Sequence, residues 1–211
     1  MNTRPQQDAM VFIIDDDEAV REGLAALFRS VGLQVKLFAS AAEFRQTSLP
    51  DVPSCLVLDI RLPGLGGLEF QADLARANIQ IPIIFMTGHG DIPMSVRAMK
   101  AGAVEFLTKP FRDQDMLDAV QLAIEQDRKQ HKDAVATFKL KASFETLSLR
   151  EQQIMNLVAA GLMNKQIAAE IGVSEVTVKV HRGSVMRKMG AKSIADLVRM
   201  SDALRARAKS K

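Results

Sequence analysis

An open parallel α/β sheet followed by a small all-helical module is the architecture this sequence predicts. Three observations carry the prediction. Up to about residue 124, short apolar runs alternate five times with stretches of helical periodicity, the pattern of strands joined by crossover helices. Beyond residue 146 come four short helical patterns, each bounded by capping residues or glycines. The charge also divides. Residues 1–130 hold 13 Lys and Arg against 18 Asp and Glu, a net of −5, whereas residues 131–211 hold 15 against 7, a net of +8, together the +3 of the 211-residue chain. An acidic front and a basic back suggest two modules, the second facing a polyanion.

Taken in order, the first eight residues are polar with one proline and are expected to fray. Val11 to Ile14 reads as a buried strand running into Asp15, Asp16 and Asp17. Val20, Leu24, Leu27, Phe28 and Val31 then recur at helical spacing, with Gly32 as the stop. Val35 and Leu37 alternate with Gln34 and Lys36 as in an edge strand, and Ser40 with Glu43 forms a capping-box pattern for a second helix. Leu56-Val57-Leu58 ends on Asp59, after which Pro63 and Gly64 turn the chain away. A third helix is expected from Leu65 to Ala77, opening near Gly66 and Gly67. Ile83 to Met86 runs into Thr87, and Pro93 suits the first turn of a fourth helix through about Ala101. Glu105 to Thr108 runs into Lys109 and Pro110. Asp113 is read as the cap of a fifth helix with Leu117, Val120 and Ile124 on its apolar face. No glycine or proline interrupts the charged stretch from Gln126 to Thr146, so that helix is expected to continue as a semi-rigid arm with Val135 and Phe138 as a sparse apolar seam.

In an open parallel sheet, residues just past the strands' carboxyl ends line one crevice, where such folds bind ligands. That places Asp15, Asp16, Asp59, Thr87 and Lys109 together. Crowded carboxylates repel unless a hard cation sits among them, and a small site with few direct carboxylates suits Mg²⁺ (or Mn²⁺). Asp59 would then be a nucleophile toward phosphorus, with Lys109 and Thr87 holding the phosphoryl oxygens. Alone, Asp59 would sooner be read as a strand terminator; the constellation is what carries the specificity.

Asp15-Asp16, Asp59, Thr87 and Lys109-Pro110, in this order and spacing, resemble the receiver domain of two-component response regulators. The resemblance covers residues 9–128. It implies a (βα)5 doubly wound sheet in strand order 2-1-3-4-5, with Asp59 as phosphoacceptor. It also implies Mg²⁺ bound by Asp16, Asp59 and the Arg61 backbone carbonyl, with Asp15 acting through water. A cis Lys109–Pro110 bond and a switching aromatic at Phe106, coupled to Thr87, follow from the same likeness. His89 and Asp91, flanked by glycines, read as loop residues rather than an acid–base pair; the loop resembles the FixJ-like branch. Gly88 stands where many receivers carry alanine, which implies a phosphoryl group open to water and short-lived. Cys55 reads as a buried thiol.

In the basic module, Ser148 and Glu151 form a capping box, with Ile154, Leu157 and Val158 at core spacing up to Gly161. Asn164 is read as capping a short helix with Ile167, Ala168 and Ile171, stopped by Gly172. Ser174 caps the next, to about Met189 and Gly190. Ser193 caps a last one carrying Ile194, Leu197, Val198 and Leu204. A DNA-free four-helix bundle would share this outline. The third helix separates the two readings. At 100° per residue Val178, Val185 and Met189 share one direction, while Val176, Lys179, Val180, Gly183 and Arg187 lie opposite. Cations among valines on an outer face suit phosphates, guanines and thymine methyls.

The segment from Leu149 through Arg182 resembles LuxR-type DNA-binding domains over residues 147–205, with 129–146 as linker. That likeness implies base contacts from Lys179, Val180 and Gly183, and phosphate contacts from Lys165, Thr177 and Arg182. The implied whole is a transcriptional regulator of the FixJ/NarL type and not an enzyme. A cognate histidine kinase would phosphorylate Asp59, a homodimer would form through the fourth helix and fifth strand, and double-stranded promoter DNA and RNA polymerase would be its partners. The rival readings are an aspartyl-phosphate phosphohydrolase, disfavoured because Arg61 replaces the second aspartate two residues after Asp59, and a constitutive DNA-binding protein. No signal-peptide pattern and no run near the ~18 apolar residues of a membrane span is present, so a cytoplasmic protein without membrane partners is expected.

Overall fold

The computed structural model describes residues 9–88 and 92–208, with side chains through Arg205. The first eight residues, His89 and Asp91 therefore lie outside the described residues. The chain divides into two compact units between His131 and Lys132.

In the first unit β1 (Met10–Ile14), β2 (Gln34–Phe38), β3 (Ser54–Asp59), β4 (Ile83–Thr87) and β5 (Glu105–Thr108) form one parallel sheet, in the order β2-β1-β3-β4-β5. This is the strand order the resemblance implied. Helices α1 (Glu18–Ser30), α2 (Ala41–Arg45), α3 (Gly67–Arg76), α4 (Ile92–Lys100) and α5 (Asp113–Glu145) follow the strands in turn.

Alternation along the strands divides the core. Phe12, Ile14, Leu56, Leu58 and Phe85 face one way, with Phe44 of α2 and Phe70 and Leu74 of α3. Val11, Ile13, Val57, Ile84 and Met86 face the other, with Leu24 and Phe28 of α1 and Met116, Val120 and Ile124 of α5. Strands covered on both faces read as continuous apolar runs, and β1, β3 and β4 are buried along their whole length. The edge strand β2 instead alternates exposed and half-buried residues up to the buried Phe38 at its end. Fully buried Phe12, Phe28, Phe70 and Phe85 each contribute about 1.5–3 kcal/mol of transfer energy.

Local chemistry sets the helix ends. Asp17 caps α1 by accepting from the Ala19 and Val20 N–H groups, and Ser40 caps α2. The third helix opens at Gly67, two residues later than Leu65. Asp113 is the first residue of α5, not its cap. The Arg112 carbonyl accepts from the Met116 N–H, and the Arg112 guanidinium pairs with Asp115 at 2.9 Å, which draws the helix start forward.

The second unit holds α6 (Leu149–Ala159), α7 (Asn164–Ile171), α8 (Glu175–Met189) and α9 (Ile194–Ala208) around Ile154, Met155, Val158, Ile167, Val178, Val185, Met189 and Leu197. The Ser148–Glu151 capping box forms in full, and Ser174 caps α8. Gly172 and Gly190 close α7 and α8 at φ 69° and 66°, left-handed positions where a Cβ is unfavourable. Three expectations fail here. Met163 occupies the cap position of α7, and Asn164 is its first residue. Ile194 is half exposed, because the apolar stripe of α9 starts one turn later at Leu197. Val135 and Phe138 are 53% and 74% exposed; Leu140 and Phe144 pack on the core instead. Phe138 and Leu140 are 200° apart on a helix, so only one can face a given neighbour.

Candidate functional site

The sheet register assembles the first site. Ile14 pairs with Leu58, so Asp15 emerges level with Asp59. Thr87 pairs with Thr108, so Lys109 emerges beside Thr87, and the Lys109 N–H donates to the Thr87 carbonyl at 2.7 Å. All four residues thus reach the same carboxyl edge of the sheet. Lys109 Nζ lies 2.7 Å from Asp15 Oδ2 and 2.7 Å from Asp59 Oδ2. The other oxygens are held by the backbone: Asp59 Oδ1 accepts from the Arg61 N–H at 2.7 Å, and Asp15 Oδ1 from the Asp17 N–H at 2.9 Å. Asp15 is 1% and Thr87 0% exposed. The Lys109–Pro110 bond is cis.

Burial pushes the Asp15 carboxyl above its usual range, against the opposing pull of Lys109. For Lys109 burial acts downward, but hydrogen bonds to Asp15 and Asp59 outweigh it and raise the ammonium's pKa. The arrangement stores two desolvated carboxylates around one cation, poised to exchange an ion pair for a new anionic group.

Asp16 does not join this cluster. It is exposed, and among the described residues no three acidic, histidine or cysteine side chains gather as a metal would need. The reason is local. The Lys109 ammonium itself balances Asp15 and Asp59, and Asp17 is engaged in capping α1. The carboxylate oxygens of Asp15 and Asp59 are hard donors of the kind that suit Mg²⁺, and Asp16 is next in the chain. Phe106 is half buried on β5 opposite Phe85. Cys55 is fully buried, and that burial pushes its thiol far up.

Gly67 is a site residue the sequence reading passed over. A Cβ there would lie 2.6 Å from the Asp59 carbonyl oxygen and 2.9 Å from Ile60 Cα. Its N–H donates to the Ile60 carbonyl at 2.8 Å, so α3 begins in contact with the backbone of the acceptor. The only sequence signal was the glycine pair, which also suits a simple turn.

In the second unit, the outer face of α8 is as predicted. Val178, Val185 and Met189 are buried, while Val176 and Val180 are 73% and 66% exposed, and Lys179, Gly183 and Arg187 are exposed beside them. Lys165 is exposed on α7. Thr177 and Arg182 are only partly exposed. The Thr177 hydroxyl lies 2.9 Å from that of Ser174, and Arg182 Nη1 donates to Asn164 Oδ1. Behind this face, Glu151 accepts from the Ser148 N–H at 2.8 Å, Ser184 Oγ at 2.6 Å and Lys188 Nζ at 2.7 Å. Lys188, with Ser184 and Ser148, holds the Glu151 carboxyl down at about 2.

Residues 11–121 match the family described as response regulator receiver domain, and residues 145–201 match the bacterial regulatory proteins of the luxR family. The chain belongs to the LuxR-type response regulators. This response regulator is 61% identical over 203 residues to nodulation protein W of Bradyrhizobium diazoefficiens, spanning 96% of this chain and 89% of that protein. It is 45% identical over 195 residues to the transcriptional regulatory protein FixJ of Rhizobium meliloti, spanning 92% and 95%. Its structure is similar to that of the response regulator StyR, with TM-score 0.82 at 47% identity, over 92% of this chain and 98% of that one. A receiver with a LuxR-type domain makes the response regulator a DNA-binding transcriptional regulator, of a family typically without enzymatic activity, whose domains imply a histidine kinase and DNA as partners. Receivers generally bind Mg²⁺ at the phosphorylation site. No helix among the described residues is long and apolar enough to cross a membrane.

Proposed function

We propose that Asp59 accepts a phosphoryl group from a cognate histidine kinase, and that this controls how α8 engages promoter DNA. In the transfer an Asp59 oxygen forms the new O–P bond as the kinase's N–P bond breaks, and the departing imidazole nitrogen keeps the electron pair. Lys109 then exchanges its hydrogen bond to Asp59 for one to a phosphoryl oxygen, and the Thr87 hydroxyl takes another. Phe106 follows Thr87, biasing the α4 and β5 surface toward a homodimer; Val96 and Met99 are exposed on α4 and support that surface. Asp16, Asp59 and the Arg61 carbonyl would hold Mg²⁺ (or Mn²⁺), with Asp15 through water. When bound, the ion offsets the negative charge gathered by the carboxylates and the phosphoryl group.

On this reading the receiver spans 9–128, the linker 129–146 and the DNA-binding domain 147–205. Val176, Lys179, Val180 and Gly183 meet base edges, while Lys165, Thr177 and Arg187 lie toward phosphates. RNA polymerase is the downstream partner, and the site of action is the cytoplasm. The observation that supports this reading best is the single ammonium shared at 2.7 Å by Asp15 and Asp59 at the sheet's carboxyl edge. The test is incubation with acetyl phosphate and Mg²⁺, followed by intact mass, oligomeric state and DNA footprinting. Wild type should gain one phosphoryl group, dimerise and footprint, and Asp59→Asn should do none of these. An Asp59→Asn protein that dimerises and footprints like phosphorylated wild type would sink the switch.

A further inference from the structure

Helix α8 carries four permanent cations, Lys179, Arg182, Arg187 and Lys188, and they do not all face outward. Lys179 and Arg187 are exposed. Lys188 reaches back to Glu151 at 2.7 Å and to the Thr146 carbonyl at 3.2 Å. Arg182 turns to α7 and donates to Asn164, that helix's first residue. The other end of α7 is held in the same way: Arg150 of α6 donates to the carbonyl of Ile171, its last residue, at 3.0 Å. Two arginines therefore tie down the two ends of a helix of 8 residues, which by itself is too short to hold its own shape in water.

We propose that Arg182 is a positioning residue, which sets the angle of α8 against α7 through Asn164 and so governs discrimination between DNA sequences, rather than a phosphate contact. A guanidinium committed to a neutral amide acceptor holds direction well, because its planar fork is rigid. A misplaced α8 would spoil base contacts, which need alignment, while leaving diffuse backbone attraction nearly intact. The inference rests on the reading that α8 faces DNA, and the test separates the two.

The probes are a duplex selected from a random pool by the phosphorylated wild-type chain and a shuffled duplex of equal length, each titrated across a salt series. Arg182→Ala and Asn164→Ala should each weaken binding to the selected duplex by roughly 5- to 30-fold, the scale of one or two lost interactions. Affinity for the shuffled duplex and the salt slope should stay near wild type. The double variant should be no worse than either single one, as expected of two residues acting as a unit. Asn164→Asp, which keeps an acceptor oxygen for Arg182, should restore discrimination. Two results overturn the proposal: Arg182→Ala lowering the salt slope by about 0.9 and weakening both duplexes alike, the signature of a lost phosphate contact, or Asn164→Ala leaving discrimination intact. Should Arg182→Ala melt below the assay temperature, the two Asn164 variants decide, since they leave α8 unaltered. Lys179→Ala is the reference; if it changes neither affinity nor slope, the DNA-facing reading of α8 fails, and this proposal with it.

Discussion

At the scale of single residues, the acceptor site depends on an atom that is not there. The Cβ missing from Gly67 would meet the Asp59 carbonyl oxygen at 2.6 Å, Ile60 Cα at 2.9 Å and the Phe85 ring at 3.2 Å. Two of these neighbours are backbone, which cannot swing aside as a side chain tip can. Gly67→Ala must therefore move either α3 or the end of β3. The expected cost is about 1–3 kcal/mol, the range for overpacking a filled interior, with slower phosphorylation because Asp59 loses its alignment with Lys109. Thermal melting and the rate of phosphoryl incorporation from acetyl phosphate check this; a variant with wild-type values for both would refute the packing argument. Gly88 is the contrast. Among the described residues no atom lies within 4 Å of a Cβ added there, so Gly88→Ala should leave the melting temperature unchanged and lengthen the life of the phosphoryl group by partly screening it from water.

Among elements, the least expected link joins α5 to the start of the acceptor strand. Asp127, 4% exposed, accepts from the Ser54 N–H at 2.7 Å, satisfying a backbone donor at the first residue of β3. Burial raises its pKa, the Ser54 hydrogen bond and His131 pulling the other way. A carboxyl raised on folding costs stability once ionised, so that cost is absent below the unfolded value near 3.8 and sets in as pH rises through the folded one. Asp127→Asn keeps an acceptor without the charge and should match or exceed wild-type stability at pH 7. Asp127→Ala, which strands the Ser54 donor, should lose about 1–3 kcal/mol. Denaturant melts at pH 4 and pH 7 separate the two; equal losses for Asn and Ala would show that the hydrogen bond contributes nothing. This link also marks what the sequence could and could not convey. The sheet was legible because each apolar run ends in a chemically distinct polar residue, and β3 and β4 could be placed from that alone. Capping chemistry made most helix ends legible, with Ser148 and Glu151 the clearest case. Contacts between distant positions were not: Asp127 with Ser54, Gly67 under Asp59, Arg182 with Asn164. Helical periodicity identifies a face but not the neighbour that covers it, which is why the pattern points to Phe138 for a seam that Leu140 and Phe144 provide. Asp16 follows Asp15 in the chain yet its side chain is exposed, a difference in orientation that adjacency in sequence does not convey.

For the molecule as a whole, the question is how charge added in an acidic half alters the behaviour of a half carrying a net of +8. If phosphorylation acts by pairing two chains, the salt dependence of DNA binding must report it. Each protein–phosphate contact releases condensed counterions, and the slope of log K against log salt is about −0.9 per contact. One LuxR-type domain has few cations on its outer face, chiefly Lys165, Lys179 and Arg187, so a lone module should have a shallow slope. Two modules joined through their receivers engage twice the phosphates in one event, and the second binds at high effective concentration. Phosphorylated protein should therefore show close to twice the slope of Asp59→Asn on the same duplex, with an affinity advantage that shrinks as salt rises. An affinity gain at unchanged slope would mean that phosphorylation releases a single module that was otherwise held back, and pairing would no longer be needed. Fluorescence anisotropy across a salt series, with mass measured in the same solutions, distinguishes the two, because pairing changes the number of ions released and release of a held module changes only the fraction of chains able to bind.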